Sequence, residues 1–420
     1  MPNPMQAAAV RRARVGTLAA FFLQGLTLAT IVTRIPAFQD KFGVGEGEVT
    51  ALLLLVAVLA GVGSVLAGAI ARRRTSAVAL RGALFTIAAA AALIGVAPNR
   101  PALYLAFAVY GIGIGAVDAG MNMQGVTVQE LYGRSIMTSF HAMWSIAGII
   151  GALYAAGVAS LDWGLAPSLG VVAAVGVAVT VAAGPYLVAT RAVAEPHAGP
   201  AGQDSGQPAG QDGGQPGGPA PTPPAVPWAP IVMIGVAVLA YFIADTGVLS
   251  WSSLYLQDAL DSSEAIAPLG YGAYQAGAVV SRLAGDQFVR RYGAVPVVRV
   301  ATVVGVVALA AVVAAPTPWF AIAAFALLGL GLSVVVPLAF AAAGSLDAAD
   351  SDAAIARVNV FNYAGNIVGG ALIGAVATAG SLRWIFVVPL VLVPVVLVVS
   401  RAFAPALSVR GPVTGPAPRQ

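Results

Sequence analysis

The sequence predicts an all-α membrane protein with twelve transmembrane helices, arranged as two pseudo-symmetric six-helix bundles. Composition is the first reason: 59% of the 420 residues are hydrophobic and only 9% are charged, whereas about 25% of the residues of a soluble domain are charged. The other two reasons are a regular series of long apolar segments and an internal repeat.

Twelve segments have the roughly 20 apolar residues that a helix needs to cross a bilayer core of about 30 Å. They cover residues 15–36, 48–70, 77–97, 101–123, 137–159, 165–188, 228–250, 266–288, 295–315, 317–341, 357–379 and 384–404. The first follows three arginines, as in a signal peptide, but its apolar run is too long and no small-residue cleavage site follows. We therefore expect a retained membrane anchor.

Residues 191–227 interrupt this series with a stretch rich in Gly, Pro, Gln and Ala, which cannot form a packed core. We expect a disordered cytoplasmic linker here. It separates a first bundle (1–190) from a second (228–405), and a cytoplasmic tail follows (406–420).

The basic residues predict the orientation. With the N-terminus inside, seventeen arginines lie at cytoplasmic ends or loops, and only Arg34, Lys41, Arg100 and Arg383 lie outside. An even number of spans then returns the C-terminus to the cytoplasm. We expect a multi-pass protein of the cell membrane.

Three matches between the halves indicate a duplication. FAVYGIG at 107–113 matches FALLGLG at 325–331, and Gln39-Asp40 matches Gln257-Asp258, both at an offset of 218. SLDW at 160–163 ends the fifth span as SLRW at 381–384 ends the eleventh.

The hairpin at 107–152 carries the most polar groups inside apolar helices. Gly111, Gly115, Asp118 and Asn122 share one face of the fourth span, by their spacing of three and four residues. His141 and Ser145 share a face of the fifth span with Gly148 and Ala152. Small and polar faces are typical of helices that meet another helix or a wet cavity. We interpret this hairpin as the lining of the inner half of a solute pathway.

The duplicated six-span halves, the central linker and the basic loops together resemble the major facilitator superfamily. The loop after the second span, GAIARRRTS (68–76), lacks the acidic residue of the superfamily's signature, whereas GDQFVRRYG (285–293) carries Asp286 one turn early. The stretch from Asp118 to Ala152 and the SWSSLYLQD after Asp245 resemble the MosC-like and YbjJ-like branch. This resemblance implies a transporter of small organic solutes.

The candidate solute site consists of amides, hydroxyls and aromatics near mid-depth, which suit an uncharged, hydroxyl-rich ligand. Its members are Gln24, Trp144, Ser145, Tyr271, Tyr274, Gln275, Asn362 and Asn366. The alternative is that these groups only join helices, at around 0.6 kcal/mol per contact.

Asp118 is the strongest single indication of a functional residue, because a carboxylate buried in a membrane is either paired or protonated. One reading is a structural ion pair with Arg81 of the third span. The other makes Asp118 a proton-coupling or inner-closure group, together with Asn122 and with His141 to share protons.

Further charged residues are candidates for closing the pathway. Arg34 and Asp245 lie in the outer half of spans one and seven, and we expect them to pair when the outer side is closed; Asp245 could instead bind solute or a proton. Glu130 and Arg134 form either an ordinary helix pair or a contact with the arginines after the second span. Arg282, Asp286 and Arg290 recur every four residues, which predicts a ladder on the eighth span.

These features favour a secondary transporter that works by alternating access, with protons as the expected coupling ion. A proton-coupled drug exporter of the same fold is the closest alternative. No nucleophile, paired acids or nucleotide-binding motif indicates an enzyme. The sequence has no cysteine and two histidines, so we expect no metal. We expect no other cofactor and no nucleic-acid partner: the partners are the solute, protons and the bilayer, and the protein is expected to be monomeric.

Overall fold

The computed structural model describes residues 4–189, 228–263, 266–346, 351–379 and 382–404. The linker predicted at 191–227 and the tail predicted at 406–420 lie outside the described residues. The described chain is helical from end to end, and its elements match the predicted spans in number and order.

The first half contains six long helices and one short one. They are α1 (Pro4–Thr33), the short α2 (Ile35–Phe42), α3 (Glu46–Arg73), α4 (Ser76–Val96), α5 (Arg100–Tyr132), α6 (Met137–Ser160) and α7 (Leu165–Ala183). The polar hairpin of the sequence analysis is formed by α5 and α6. The short α2 was not predicted; Pro36 lies in its first turn and Gly43 ends it in the left-handed conformation.

The second half has helices at the same six positions, two of them interrupted. They are α8 (Trp228–Leu254), α9 (Leu269–Tyr292), α10 (Ala294–Val313), α11 (Pro318–Leu332), α12 (Val335–Ser345), α13 (Ser351–Ala379), α14 (Val387–Leu392) and α15 (Val395–Val399). The tenth predicted span is divided into α11 and α12 at Ser333 and Val334. The twelfth comprises α14, α15 and the 3₁₀ turns Leu382–Phe386 and Ser400–Phe403.

Ten of these helical tracts are long and apolar enough to cross a membrane by length and hydropathy alone. The two that fall short of this criterion are α9 and α13, which are 24 and 29 residues long. They have the length of a span but carry many of the polar and charged residues between the halves. The prediction of twelve spans in an all-α membrane fold is therefore confirmed.

Glycines let the helices within each half approach at backbone distance. A Cβ at Gly111 of α5 would lie 3.0 Å from the carbonyl oxygen of Val56 in α3. A Cβ at Gly329 of α11 would collide with the carbonyl oxygen of Tyr274 in α9. Gly329 and Tyr274 are each 218 residues after Gly111 and Val56, so the structure repeats the same helix contact at the offset seen in the sequence.

The two most extensive contacts between the halves are α3 with α13 and α6 with α9, and further contacts join α5 to α13 and α12 and join α6 to α12. Ser64 of α3 donates to the carbonyl oxygen of Ala356 in α13 (3.3 Å), and Gly285 of α9 packs against Thr138 of α6. These contacts lie toward one end of the bundle, which we call the arginine-rich face because the exposed Arg72, Arg73, Arg134 and Arg291 lie there. The contacts between the halves described below also lie there or at mid-depth.

Candidate functional site between the halves

A buried carboxylate in the first half is bound by side chains of the second half. Oδ2 of Asp118 in α5 accepts hydrogen bonds from Nδ2 of Asn362 (2.8 Å) and the hydroxyl of Tyr363 (3.0 Å), both in α13. Asn122 donates to the backbone carbonyl of Asp118 (2.8 Å), and its Oδ1 lies 3.1 Å from Nε2 of His141 in α6. We call these five residues the carboxylate–amide cluster.

The donors to Asp118 are electrically neutral. In the described part of the chain no arginine, lysine or histidine lies within 4 Å of its carboxylate oxygens. The alternative pairing with Arg81 is not formed: Nε of Arg81 donates to the carbonyl of Ala77 (3.2 Å), and its side chain lies against Gly184. Arg81 therefore holds its own helix and neighbouring chain, away from Asp118.

Asparagines on one face of α13 extend this cluster toward the opposite face. Nδ2 of Asn366 donates to Oδ1 of Asn362 (3.0 Å), and Thr246 of α8 donates to Oδ1 of Asn366 (3.0 Å). On the other side Asn359 donates to Ser64 of α3 (3.2 Å). Hydrogen bonds thus run from the interface of α3 and α13 to the interface of α13 and α8.

A second polar group surrounds Asp245 of α8. Its Oδ1 accepts hydrogen bonds from the hydroxyls of Tyr274 (2.6 Å) and Tyr241 (3.2 Å). The Tyr241 hydroxyl in turn accepts from a terminal nitrogen of Arg282 in α9 (3.2 Å). The other terminal nitrogen of Arg282 donates to the hydroxyl of Ser145 in α6 of the first half. We call these residues the tyrosine–arginine cluster.

The interruption between α11 and α12 provides a third acceptor for Arg282. Nε of Arg282 donates to the backbone carbonyl of Ser333 (3.3 Å), at the point where the helix is broken. The guanidinium also lies over the ring of Trp144, 5.8 Å from its centroid. Nε1 of Trp144 donates to Oε1 of Gln24 in α1, which joins two further predicted residues.

The remaining predicted solute-site residues lie beside these two clusters. The ring centroids of Tyr271 and Tyr274 are 6.5 Å apart, and the ring planes are inclined by 30°. Tyr271, Gln275, Asn366 and Trp144 are only partly buried, whereas Gln24 and Ser145 are buried. Tyr271 and Gln275 lie on the α9 segment that leads from Arg282 toward the opposite face.

The ladder predicted for α9 is wrong, because its members bind different partners. Oδ1 of Asp286 accepts from the backbone N–H of Thr138 (3.0 Å) and Oδ2 from that of Ser139 (2.9 Å). Asp286 thus caps the N-terminus of α6 across the interface of the halves. The N-cap residue of α6 itself, Ile136, has no side-chain acceptor for these N–H groups. Arg290 donates to the carbonyl of Ser135 in the same loop (2.9 Å).

The other predicted charges have local partners in this structure. Arg34 donates to the carbonyl of Trp163 (2.6 Å) within the first half, while Asp245 binds its tyrosines, so the two are unpaired here. Arg134 lies over the ring of Tyr132, 5.7 Å from its centroid. Glu130 is exposed and, within the described residues, forms no ion pair with the arginines after α3.

Arg282 is the residue that sequence reasoning placed wrongly. Its spacing from Asp286 and Arg290 indicated a ladder at the helix end, whereas it lies ten residues, or about 15 Å, before the end of α9. The offset of 218 was the available signal, since it aligns Arg282 with Ser64, which contacts α13 at the other helix pair between the halves.

The fold and this site define a polytopic, duplicated membrane protein with polar clusters between its halves. The model of the Major Facilitator Superfamily matches residues 3–152 and 234–419. The chain belongs to the Major Facilitator Superfamily. It is a transporter of that superfamily, not an enzyme. Within the described residues, no three His, Asp or Glu side chains are grouped to hold a metal ion.

Relatives and solved structures agree with this assignment. An uncharacterized MFS-type transporter of Yersinia pestis is 29% identical over 378 residues, covering 89% of this chain and 91% of its own. The membrane protein MosC of Rhizobium meliloti is 26% identical over 363 residues, covering 86% and 82%. The resemblance to a MosC-like branch is thus confirmed.

Among solved structures, the Major Facilitator Superfamily transporter FucP in its outward conformation has a TM-score of 0.69 at 14% identity, covering 93% of this chain and 98% of its own. The proton:xylose symporter XylE has a TM-score of 0.68 at 12% identity, covering 93% and 96%. At these identities the structures show the shared fold.

Proposed function

We propose that this protein is a secondary active transporter that moves a small polar organic solute across the cell membrane by alternating access, coupled to protons. The solute class is a sugar, a polyol or an amino-polyol. The observation that carries the proposal is Asp118, a carboxylate buried between the two halves and bound by neutral groups of the opposite half.

A proton is the ion that suits this carboxylate. An ionised carboxylate is costly in a membrane interior unless a cation compensates it, and the groups that bind Asp118 are an amide and a phenol. The neutral acid and the carboxylate can both be accommodated, because an amide can donate or accept. Since Asp118 belongs to the first half and its partners to the second, its protonation would change the energy of the contact between them.

The partly buried groups next to the clusters support a hydroxyl-bearing solute. Trp144 and Tyr271 offer aromatic faces, and Gln275 and Asn366 offer paired donors and acceptors. Two proteins of similar fold, a fucose:proton symporter and a proton:xylose symporter, point in the same direction.

The contacts between the halves support a pathway closed at the arginine-rich face. We assign this face to the cytoplasm, in line with the distribution of arginines. Asp286 then closes the inner side by capping α6. Opening it would require breaking these bonds and the contact of α3 with α13, while Arg34 and Asp245 approach each other at the outer side.

Uptake by purified protein in liposomes tests the proposal. The solutes are sugars, polyols, amino-polyols and cationic drugs, each with and without an imposed proton gradient. We expect accumulation of a member of the first three groups only when the gradient is present. Accumulation of cationic drugs alone, or uptake that ignores the gradient for every solute, would contradict it.

A further inference from the structure

The guanidinium of Arg282 connects three structural units at mid-depth. It donates to Ser145 of α6 in the first half, to Tyr241 of α8, and to the carbonyl freed by the break between α11 and α12. Arg282 is 5% exposed. It is therefore a buried cation at the contact of the two halves.

A buried cation needs compensation by a negative charge. The acceptors of Arg282 are two hydroxyls and a carbonyl, so no acceptor in direct contact carries a full charge. The anion is one residue further away: Tyr241 accepts from Arg282 and donates to Asp245 (3.2 Å). A hydroxyl that does both at once is polarised by each partner, which strengthens both bonds.

Asp245 lies on the side from which a solute would arrive. It is one helical turn after Tyr241 in α8, and thus further from the arginine-rich face by about 6 Å. Asp245 is only partly buried, and its second donor, Tyr274, lies two turns before Arg282 in α9. Both donors to Asp245 are neutral hydroxyls, which a solute's own donors can replace.

We propose that Tyr241 and Arg282 couple solute binding at Asp245 to the contact between the halves. A solute hydroxyl or ammonium group binds Asp245 in place of the tyrosine hydroxyls. Tyr241 then no longer links Arg282 to a negative charge, so the closed contact, which buries Arg282 against Ser145 of the first half, becomes less stable. The solute thereby favours separation of α6 from α9 at the inner side. This inference rests on the transport function proposed above and assigns the solute's contact: a donor group, strongest for an ammonium.

The paired substitutions Tyr241→Phe and Tyr274→Phe test the coupling. Each removes one hydroxyl that donates to Asp245, and both leave the ring in place. Only Tyr241 also accepts from Arg282. A coupling role therefore predicts different results for the two variants, whereas simple loss of a buried hydrogen bond predicts similar ones.

Spin labels report the distance between the halves at the arginine-rich face. The natural chain has no cysteine, so single cysteines at the exposed Leu131 and Tyr292 can be labelled selectively, and the distance measured in lipid nanodiscs without solute. We expect Tyr241→Phe to raise the population with separated halves by about tenfold or more, as for the loss of one bond to a charged group. Tyr274→Phe should retain the wild-type distribution and instead weaken the response to solute.

A second comparison guards against a merely structural role. Arg282→Lys retains the charge and should keep most of the closed population seen in the wild type. Arg282→Gln should lose it. The two variants are compared at equal thermal stability. Equal distributions for wild type and Tyr241→Phe would overturn the inference, as would equal shifts for both tyrosine variants. The solute-free measurement needs no transport, so its failure is distinct from a failure of the uptake assay.

The solute arm uses myo-inositol and glucosamine as probes, one uncharged and one carrying an ammonium group. We expect glucosamine to shift the wild-type distribution toward separated halves at lower concentration than myo-inositol, and to have a weaker effect on Asp245→Asn. A shift that is unchanged in Asp245→Asn would overturn the assignment of Asp245 as the solute's contact.

Discussion

The carboxylate of Asp118 in the first half accepts a 2.8 Å hydrogen bond from the amide of Asn362 in the second half. The two residues are 244 positions apart in the chain. Any relative movement of α5 and α13 changes this bond, so the protonation of Asp118 and the position of the halves cannot be independent.

Asp118→Asn should abolish accumulation driven by a proton gradient and leave solute exchange intact. The amide retains shape and hydrogen bonding but cannot carry the coupled proton. The measurement is uptake in liposomes against counterflow in the same preparation. Asp40→Asn, at an exposed position of α2, is the control and should behave as wild type. Concentrative uptake by Asp118→Asn at the wild-type level would exclude Asp118 as the coupling residue.

Asp286→Ala should weaken the closure at the arginine-rich face. The variant leaves the N–H groups of Thr138 and Ser139 without their acceptor, at a cost of about 1–2 kcal/mol for a cap at a helix N-terminus. Faster alkylation of a cysteine introduced at Ser139 would report the opening. Arg290→Gln, which removes a bond to the carbonyl of Ser135 at the exposed rim, should have a smaller effect. Equal alkylation in wild type and Asp286→Ala would count against the cap.

Gly115→Val and Gly329→Val should prevent stable folding. A Cβ at Gly115 would collide with the carbonyl oxygen of Ala60, and one at Gly329 with that of Tyr274. Backbone cannot move aside as a flexible side chain can, so the helix pair must separate. Gly148 has no atom within 4 Å of such a Cβ, and Gly148→Val should express normally. Yield of monodisperse protein is the readout, and normal yields for all three would contradict the close contacts.

Arg34 and Asp245 should show coupled effects on transport although they are unpaired here. If they pair when the outer side closes, Arg34→Gln and Asp245→Asn each leave the other charge uncompensated in that state. The double variant should then transport better than the sum of the single losses predicts. A double-mutant cycle on uptake rate measures this. Strict additivity would show that the pair does not form during transport.

Trp144→Phe should raise the KM for solute more than it lowers kcat. The substitution keeps an aromatic ring next to Arg282 and removes the N–H that binds Gln24. We expect this N–H to turn from Gln24 to a solute hydroxyl on binding; loss of one such neutral hydrogen bond, about 0.5–1.5 kcal/mol, corresponds to a KM increase of about two- to tenfold. Tyr154→Phe, which loses a bond to the carbonyl of Ser168 within the first half (2.8 Å), is the matched control. An unchanged KM in Trp144→Phe would place the solute elsewhere.

The sequence was sufficient to predict the membrane spans and the polar faces of single helices. Apolar length predicts a membrane helix directly, and the spacing of Asn359, Asn362 and Asn366 predicts their common face. In the structure, Asn362 donates to Asp118, and Asn366 accepts from Thr246. Helical periodicity contains this information because it depends only on neighbours along one helix.

The partners across the interface could not be read from periodicity. Arg81 was the predicted partner of Asp118 in one reading, whereas Asn362 and Tyr363 are its partners in the structure; position along the sequence does not tell which helix lies beside α5. Arg282 and Asp286 have the spacing of an ordinary ladder, yet each binds α6 of the other half. Choosing between such partners requires the packing of the halves, which depends on residues more than a hundred positions away.

The close contacts of α3 with α5 and of α9 with α11 are made by glycine and main-chain atoms. Helix packing of this kind depends little on which side chains occupy the remaining surfaces of those helices. The polar residues between the halves can therefore be substituted one at a time without disturbing the packing of the helices within each half. Solute specificity can then change between related proteins while the fold is retained.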